Sequence, residues 1–208
     1  MQQKNYLILI SGSTCAGKTT FSKKIEDHLI NKVSFNHIEM DMLYKEKYLN
    51  LDFDDFENFD SPKTFDWKLI RSLLKNLVNN KPYTLPSYMH SEWKLNKLNP
   101  NLKPSKIIFF DGIFSFHDKE IRKISDYRIF VDTDLDICLK RRFERDSKLG
   151  RNKKFINEQW SRFILPNFKK FVLPTKKYAD IIIDCSGNTL QYEIKVLNTL
   201  RNFLGDKN

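Results

Sequence analysis

Nine residues near the start of the sequence, GSTCAGKTT from Gly12 to Thr20, constrain this chain more than any other stretch. They fit G-x-x-x-x-G-K-[ST], with Gly12, Gly17, Lys18 and Thr19 at the fixed places. A phosphate group needs several donors converging on one point. A glycine-containing turn aims successive backbone N–H groups inward, and the helix that follows adds its positive amino end. Gly12, Ser13, Thr14, Cys15, Ala16, Gly17, Lys18, Thr19 and Thr20 are therefore the candidate nucleotide-phosphate residues. Lys18 supplies a cation for the terminal phosphates, and the Thr19 hydroxyl suits the magnesium ion that accompanies them. Cys15 reads as a small filler of the loop.

The flanking sequence agrees with this reading. Lys4 to Ser11 is a short apolar run with strand character, and Phe21, Ile25 and Leu29 recur at helical spacing after the loop. Further strands are expected at Val33–Met40, Lys106–Gly112, Arg128–Asp132 and Ala179–Asp184. Trp67, Ile70, Leu73, Leu74, Leu77 and Val78 trace one face of a helix. Lys81–Tyr88 contains prolines and suits a short edge ribbon. A basic helix is expected over Asp134–Lys148, and a long aromatic-rich helix over Lys153–Phe171, broken or bent near Pro166. Leu190, Ile194, Leu197 and Leu204 stripe a closing helix. Alternating strands and helices imply an α/β fold: a parallel sheet of the P-loop NTPase type with helices on both faces, a small β-ribbon and a helical lid.

A chain of 208 residues suits one domain with a substantial core. No apolar run approaches a membrane span, and Tyr6–Ile10 is too short for a signal peptide, so a cytoplasmic location is expected. Cys15, Cys138 and Cys185 lie far apart, with no metal-binding spacing and no disulfide framework. The net charge of +10 invites a nucleic-acid reading, but its distribution argues against that partner. His37–Asp66 holds nine acidic residues against three basic, and Lys140–Lys177 holds thirteen basic against three acidic. A concentrated basic segment suits a clamp over a triphosphate. In a parallel sheet, ligands collect beyond the carboxyl ends of the strands, and Asp41, Asp111 and Asp132 all fall at such ends. Asp111 follows four apolar residues, the pattern of a carboxylate that holds magnesium directly or through water. Asp41 is a candidate base for a substrate hydroxyl.

Several further segments resemble, in order, those of the uridine kinases (uridine–cytidine kinases) of the phosphoribulokinase/uridine kinase family. Met40–Lys45 (MDMLYK) resembles the family's D-x-F-Y, and Phe59–Trp67 (FDSPKTFDW) its F-D-x-P-x-A-F-D. Leu85–Ser91 resembles its P-x-Y ribbon with a following His, and FFDGIFSF its E-G-I-L-x-F. Phe130–Arg151 resembles its lid, placed at about residues 140–160, and Asn167–Ile183 is the closest stretch of all. The chain departs from the pattern in a shortened ribbon, in Glu92 where an Arg is expected, in a lid one residue shorter with Lys148 near its missing arginine, and in Asp111 for Glu.

The resemblance implies transfer of the γ-phosphoryl group of ATP or GTP, with Mg2+, to the 5′-hydroxyl of uridine or cytidine. It implies Asp41 as the catalytic carboxylate, with Lys18 and Arg145 at the phosphates, and Thr19 and Asp111 on the metal side. Asp60 falls on a ribose-binding residue. Tyr88 and His90 fall on pyrimidine contacts, Arg142, Arg151 and Gln159 on nucleoside contacts, and Tyr44 and Phe59 on the pocket walls. It also suggests a homotetramer. The alternatives are a sibling kinase for nicotinamide riboside, pantothenate or ribulose phosphate, and a nucleotide-dependent nucleic-acid-binding module. A guanine-reading N-K-x-D motif is absent, since neither Asn31-Lys32 nor Asn80-Lys81 has Asp two residues later.

Overall fold

The computed structural model describes residues 4–48, 59–86 and 100–205. Its centre is a five-stranded, all-parallel sheet in the order β2-β5-β1-β6-β7. The strands are β1 (Tyr6–Gly12), β2 (Phe35–Glu39), β5 (Ile107–Asp111), β6 (Tyr127–Val131) and β7 (Ile181–Ile183). Two short strands, β3 (Tyr83–Thr84) and β4 (Asn101–Leu102), form the separate antiparallel ribbon. The central strands are apolar on both sides because both faces are covered. Leu7 and Leu9 of β1 face one core with Ile108, Phe110 and Phe130, under α2 (Trp67–Val78). Ile8 and Ile10 face the other with Ile107, Phe109 and Val131, under α1 (Lys18–Leu29) and α6 (Leu190–Leu204).

The helices form where the sequence caps them. Asp66 caps α2 by accepting from the Leu69 amide at 3.0 Å, and Asp134 caps α4 (Leu135–Ser147) from the Asp136 amide at 2.8 Å. Asn152 caps α5 (Lys153–Gln159) from Phe155 at 2.9 Å. Each supplies an acceptor to an otherwise unpaired first-turn N–H. The short α3 (Lys119–Ile124) is capped by Asp118. Phe21, Ile25 and Leu29 of α1 are all buried, as their spacing requires.

Two expectations need correction. Of the break or bend expected near Pro166, the break does not occur: α5 continues into π turns at Trp160–Ile164 and Phe168–Val172, on either side of a short α segment holding the proline. Proline lacks an N–H and crowds the carbonyl four residues back; wider turns accommodate both without ending the helix. In α6, Leu190 and Ile194 are exposed, and the buried face is Glu193, Val196, Leu197 and Leu200. Val196, Leu197 and Leu200 join the core, and Glu193 is tolerated on that face because its carboxylate takes the Lys24 ammonium at 3.1 Å and the Thr189 hydroxyl.

Two glycines let the strand ends converge. Gly12 has φ +143°, and a Cβ there would lie 2.3 Å from the Val131 carbonyl oxygen. A Cβ on Gly112, just beyond β5, would lie 2.3 Å from Cβ of Met40. Met40 opens the 3-10 turn Met40–Met42 that carries Asp41, so the missing side chain brings the end of β2 against the end of β5. Gly112→Ala is therefore expected to destabilise the fold by about 1–3 kcal/mol through overpacking. Calorimetry should show a fall of several degrees in Tm, with Asp41 and Asp111 forced apart; an unchanged Tm would contradict this packing.

Candidate active site

The phosphate loop is held from outside by groups remote in sequence. The Thr133 hydroxyl donates to the Ala16 carbonyl at 2.7 Å. Arg141 donates to the Cys185 carbonyl at 2.7 Å and to that of Ala16 at 3.5 Å. Gly17, at φ +101°, brings the loop so near β7's exit that a Cβ would lie 3.0 Å from Cβ of Cys185. Inside the loop, Lys18 Nζ donates to the Ser13 carbonyl at 2.9 Å and the Gly12 carbonyl at 3.4 Å. Ser13 Oγ is buried with no partner among the described residues.

Beside the loop, the Thr19 hydroxyl donates to Asp111 Oδ2 at 2.8 Å. Asp111 is 3% exposed, and its other oxygen, Oδ1, is buried without a partner among the described residues. A hydroxyl and a carboxylate with one unfilled buried oxygen are hard oxygen ligands that fit magnesium. Among the described residues there is no group of three or more His, Cys, Asp and Glu arranged for a metal. Behind Asp111 stands His37. Its Nδ1 is 2.6 Å from Glu26 Oε1 and its Nε2 is 3.7 Å from Asp111 Oδ2. Burial opposes its charge, but the two carboxylates outweigh that and raise its pKa from 6.5 to about 9.

Across the cleft lie Asp41, Asp60 and Tyr44. Asp41 faces solvent on its open side and is surrounded by protein elsewhere. Desolvation raises its pKa from 3.8 to about 6; Lys18 opposes the rise, while Asp111, Asp60 and Glu39 add to it. Water on the open side moderates this effect. Desolvation also raises Asp60, against Arg142, Arg145 and Lys18. Burial, then Asp41 and Asp60, pushes the Tyr44 phenol well above its usual value. Tyr44 stacks on Phe65 at 4.5 Å and meets Phe59 edge-on at 5.7 Å, making an aromatic wall.

The basic helix α4 and its neighbour α5 close the other side. Arg142, 6% exposed, donates to Gln159 Oε1 at 2.8 Å and to Thr14 Oγ1 at 3.5 Å. Arg145 and Arg151 both reach Asp146, which is fully buried. Burial opposes ionisation of Asp146, yet the Arg145 hydrogen bond and the charges of Arg142, Arg145 and Arg151 hold it below the usual carboxylate range. The cleft, about 620 Å3, is lined by Thr14, Cys15, Lys18, Thr19, Asp41, Asp111 and Arg145 among others.

Of the candidates, Thr14, Cys15, Gly17, Lys18, Thr19 and Thr20 of the loop, Asp41, Asp111 and Arg145 thus line one cleft, and Asp60, Arg142 and Gln159 connect to it through charge or hydrogen bonds. Tyr88 and His90 lie outside the described residues. Asp132 is spent on Lys176 at 2.5 Å. Sequence reading missed His37, Glu39, Arg141 and Asp146. Only Asp146 carried a local signal, its i,i+4 spacing from Arg142 on one helix face; His37 and Arg141 meet partners remote in the chain.

The parallel sheet, the phosphate loop after its central strand and the threonine–carboxylate pair beside it define the P-loop nucleotide-binding class. The chain belongs to the phosphoribulokinase/uridine kinase family, which it matches over residues 7–190. It is 34% identical to the uridine kinase of Mycoplasma genitalium, over 89% of this chain and 88% of that one. It is 36% identical to uridine-cytidine kinase B of Dictyostelium discoideum, over 86% and 74% of the two chains. A 34% identity to uridine kinase-like protein 3 of Arabidopsis thaliana covers 88% of this chain but only 40% of that longer protein. Among solved structures, phosphoribulokinase from Rhodobacter spheroides shares the fold, with a TM-score of 0.56 at 13% identity over 89% of this chain and 74% of that one. Among the described residues no helix is long and apolar enough to cross a membrane.

The His37 pair makes a stability prediction. A folded pKa raised from 6.5 to about 9 means that the protonated pair stabilises fully below pH 6.5, and that this is lost as pH rises through about 9. Urea denaturation should show stability falling across that window by at most about 3 kcal/mol. His37→Leu should flatten the fall; an unchanged slope would remove the ion pair from the account.

Proposed function

We propose that this chain is a nucleoside kinase that transfers the γ-phosphoryl group of ATP or GTP to the 5′-hydroxyl of uridine or cytidine. The observation that carries the reading is the meeting of Asp41 with Lys18, Thr19, Asp111 and Arg145 around one cleft. The uridine and uridine–cytidine kinases among its relatives give the substrate class. The reading takes residues 1–208 as one kinase domain in the cytoplasm, with the α4–α5 segment near 140–160 as a lid.

In this reading the loop amides and the amino end of α1 hold the donor phosphates. Lys18 exchanges the Ser13 carbonyl for a terminal phosphate oxygen, which carries more charge and makes the stronger partner. Thr19 and Asp111 would hold magnesium, which would supply positive charge to the phosphates. Asp41 orients the nucleoside hydroxyl and accepts its proton as transfer proceeds. Asp60 accepts from the ribose hydroxyls, and Tyr44 and Phe59 wall the pocket. Arg145 meets charge developing on the transferred group. Arg142, Arg151 and Gln159 close over the nucleoside.

The test is a panel of uridine, cytidine, 2′-deoxyuridine, a purine riboside, nicotinamide riboside, pantothenate and ribulose phosphate with labelled ATP and GTP. Uridine and cytidine should both be used. Because a carboxylate left without its donor costs about 1–3 kcal/mol, kcat/KM for 2′-deoxyuridine should fall roughly ten- to a hundredfold. Strong preference for any of the last four acceptors would move the chain to a sibling activity.

A base must be ionised to accept a proton, so kcat/KM should rise as pH climbs through about 6, the raised value at Asp41. Asp41→Asn should lower kcat by orders of magnitude while nucleoside binding, read by calorimetry, persists. Lost binding with normal saturated turnover would make Asp41 a binding residue only.

A further inference from the structure

Three arginines of the α4–α5 segment converge on one carboxylate to which the mechanism above gives no part. Asp146 has no solvent exposure. Its Oδ1 accepts from Arg145 Nε at 2.7 Å, and its Oδ2 accepts from Arg151 Nη1 at 3.2 Å. Arg142 Nε stands 3.3 Å from Oδ2, as an ion pair without hydrogen-bond alignment. The backbone joins the same node: the Asp146 carbonyl accepts from the amides of Leu149 and Arg151, each at 3.1 Å. Gly150, at φ +84°, turns the chain between them. Asp146 thus fixes the end of α4, the turn and the arginine beyond it.

Which atoms it takes matters. A guanidinium offers an inner Nε–H and two terminal amino groups in one plane. Asp146 takes the hydrogen of Arg145's inner nitrogen and stands beside that of Arg142 without a hydrogen bond. The terminal groups of Arg142 are left for Gln159 and Thr14. Those of Arg145 have no partner among the described residues, and this side chain lines the cleft. A carboxylate that grips the inner edge aims the outer edge.

We propose that Asp146 is a positioning residue of the phosphoryl-transfer site: its single charge holds the three arginines together when no substrate is bound and grips Arg145 by its inner nitrogen, so that the terminal amino groups face the phosphates. Three buried or half-buried cations would otherwise repel one another away from the cleft. This rests on the kinase reading for what the cleft binds, and on the contacts of Asp146 for how it is arranged.

The test separates aim from charge. Arg145→Lys keeps the cation but cannot give one nitrogen to Asp146 and two to the cleft. It should lose as much kcat as Arg145→Ala, on the order of a hundredfold, with an unchanged Tm. Asp146→Asn should lower kcat at least tenfold. Combined with Arg145→Ala it should cost little more than Arg145→Ala alone, because residues acting as a unit are non-additive. Calorimetry with a non-hydrolysable ATP analogue should show weaker binding in Arg145→Lys and Asp146→Asn alike. Turnover is read on whichever acceptor the wild type uses. If it uses neither uridine nor cytidine, the substrate reading fails while the analogue titration still tests Asp146. Near-normal turnover and analogue affinity in Arg145→Lys, or an Asp146→Asn loss that adds in full to Arg145→Ala, would overturn the proposal.

Discussion

The hydrogen bond from Thr19 to Asp111, 2.8 Å long, joins the two parts on which the site depends. Thr19 starts the helix after the phosphate loop, and Asp111 ends the strand beside β1. The bond forms because β1 and β5 pair in parallel, with Ile10 opposite Asp111, so both strands deliver their ends to one edge. Glu39 of β2 is also in register with Asp111, and Gly112 lets the turn after β2 press close. Catalytic groups on different segments need no long loops to meet; the sheet presents them together.

The site is also a problem of charge storage. Asp41, Asp60 and Asp111 converge where the proposed function puts a triphosphate, itself anionic. Each is matched by a cation from another element: Lys18 and the α4 arginines act on Asp41 and Asp60, and His37 stands behind Asp111. On the opposite side, Asp146 performs the converse service for the arginines. Burying one of these groups without its counterpart would be costly, so the network holds a site that is charged and ordered before substrate arrives.

Much of this was legible along the chain. The motif at Gly12–Thr20, the apolar run before Asp111 and the spacing of Phe21, Ile25 and Leu29 are local patterns, and local patterns survive folding when one face of a helix or both faces of a strand are covered. The failures have equally specific causes. Leu190 and Ile194 fit a helical stripe but face solvent, because the face of Val196, Leu197 and Leu200 packs on the core and Glu193 on it is satisfied by Lys24 and Thr189. Pro166 signalled a break or a bend, and π turns on either side of it keep the helical run continuous. Asp132 stood at a strand end like Asp111, but Lys176 occupies it.

The sequence alone determined the phosphate loop, the α/β alternation and the family, since these depend on residue type and short spacing. Tertiary structure decided which strand-end carboxylate serves the cleft, where the arginines point and what neutralises them. His37 and Asp111 lie 74 positions apart and Thr19 and Asp111 lie 92 apart. No periodicity spans such distances. Parallel pairing brings strand ends together whatever separates them in the chain, and only the folded sheet says which ends are neighbours.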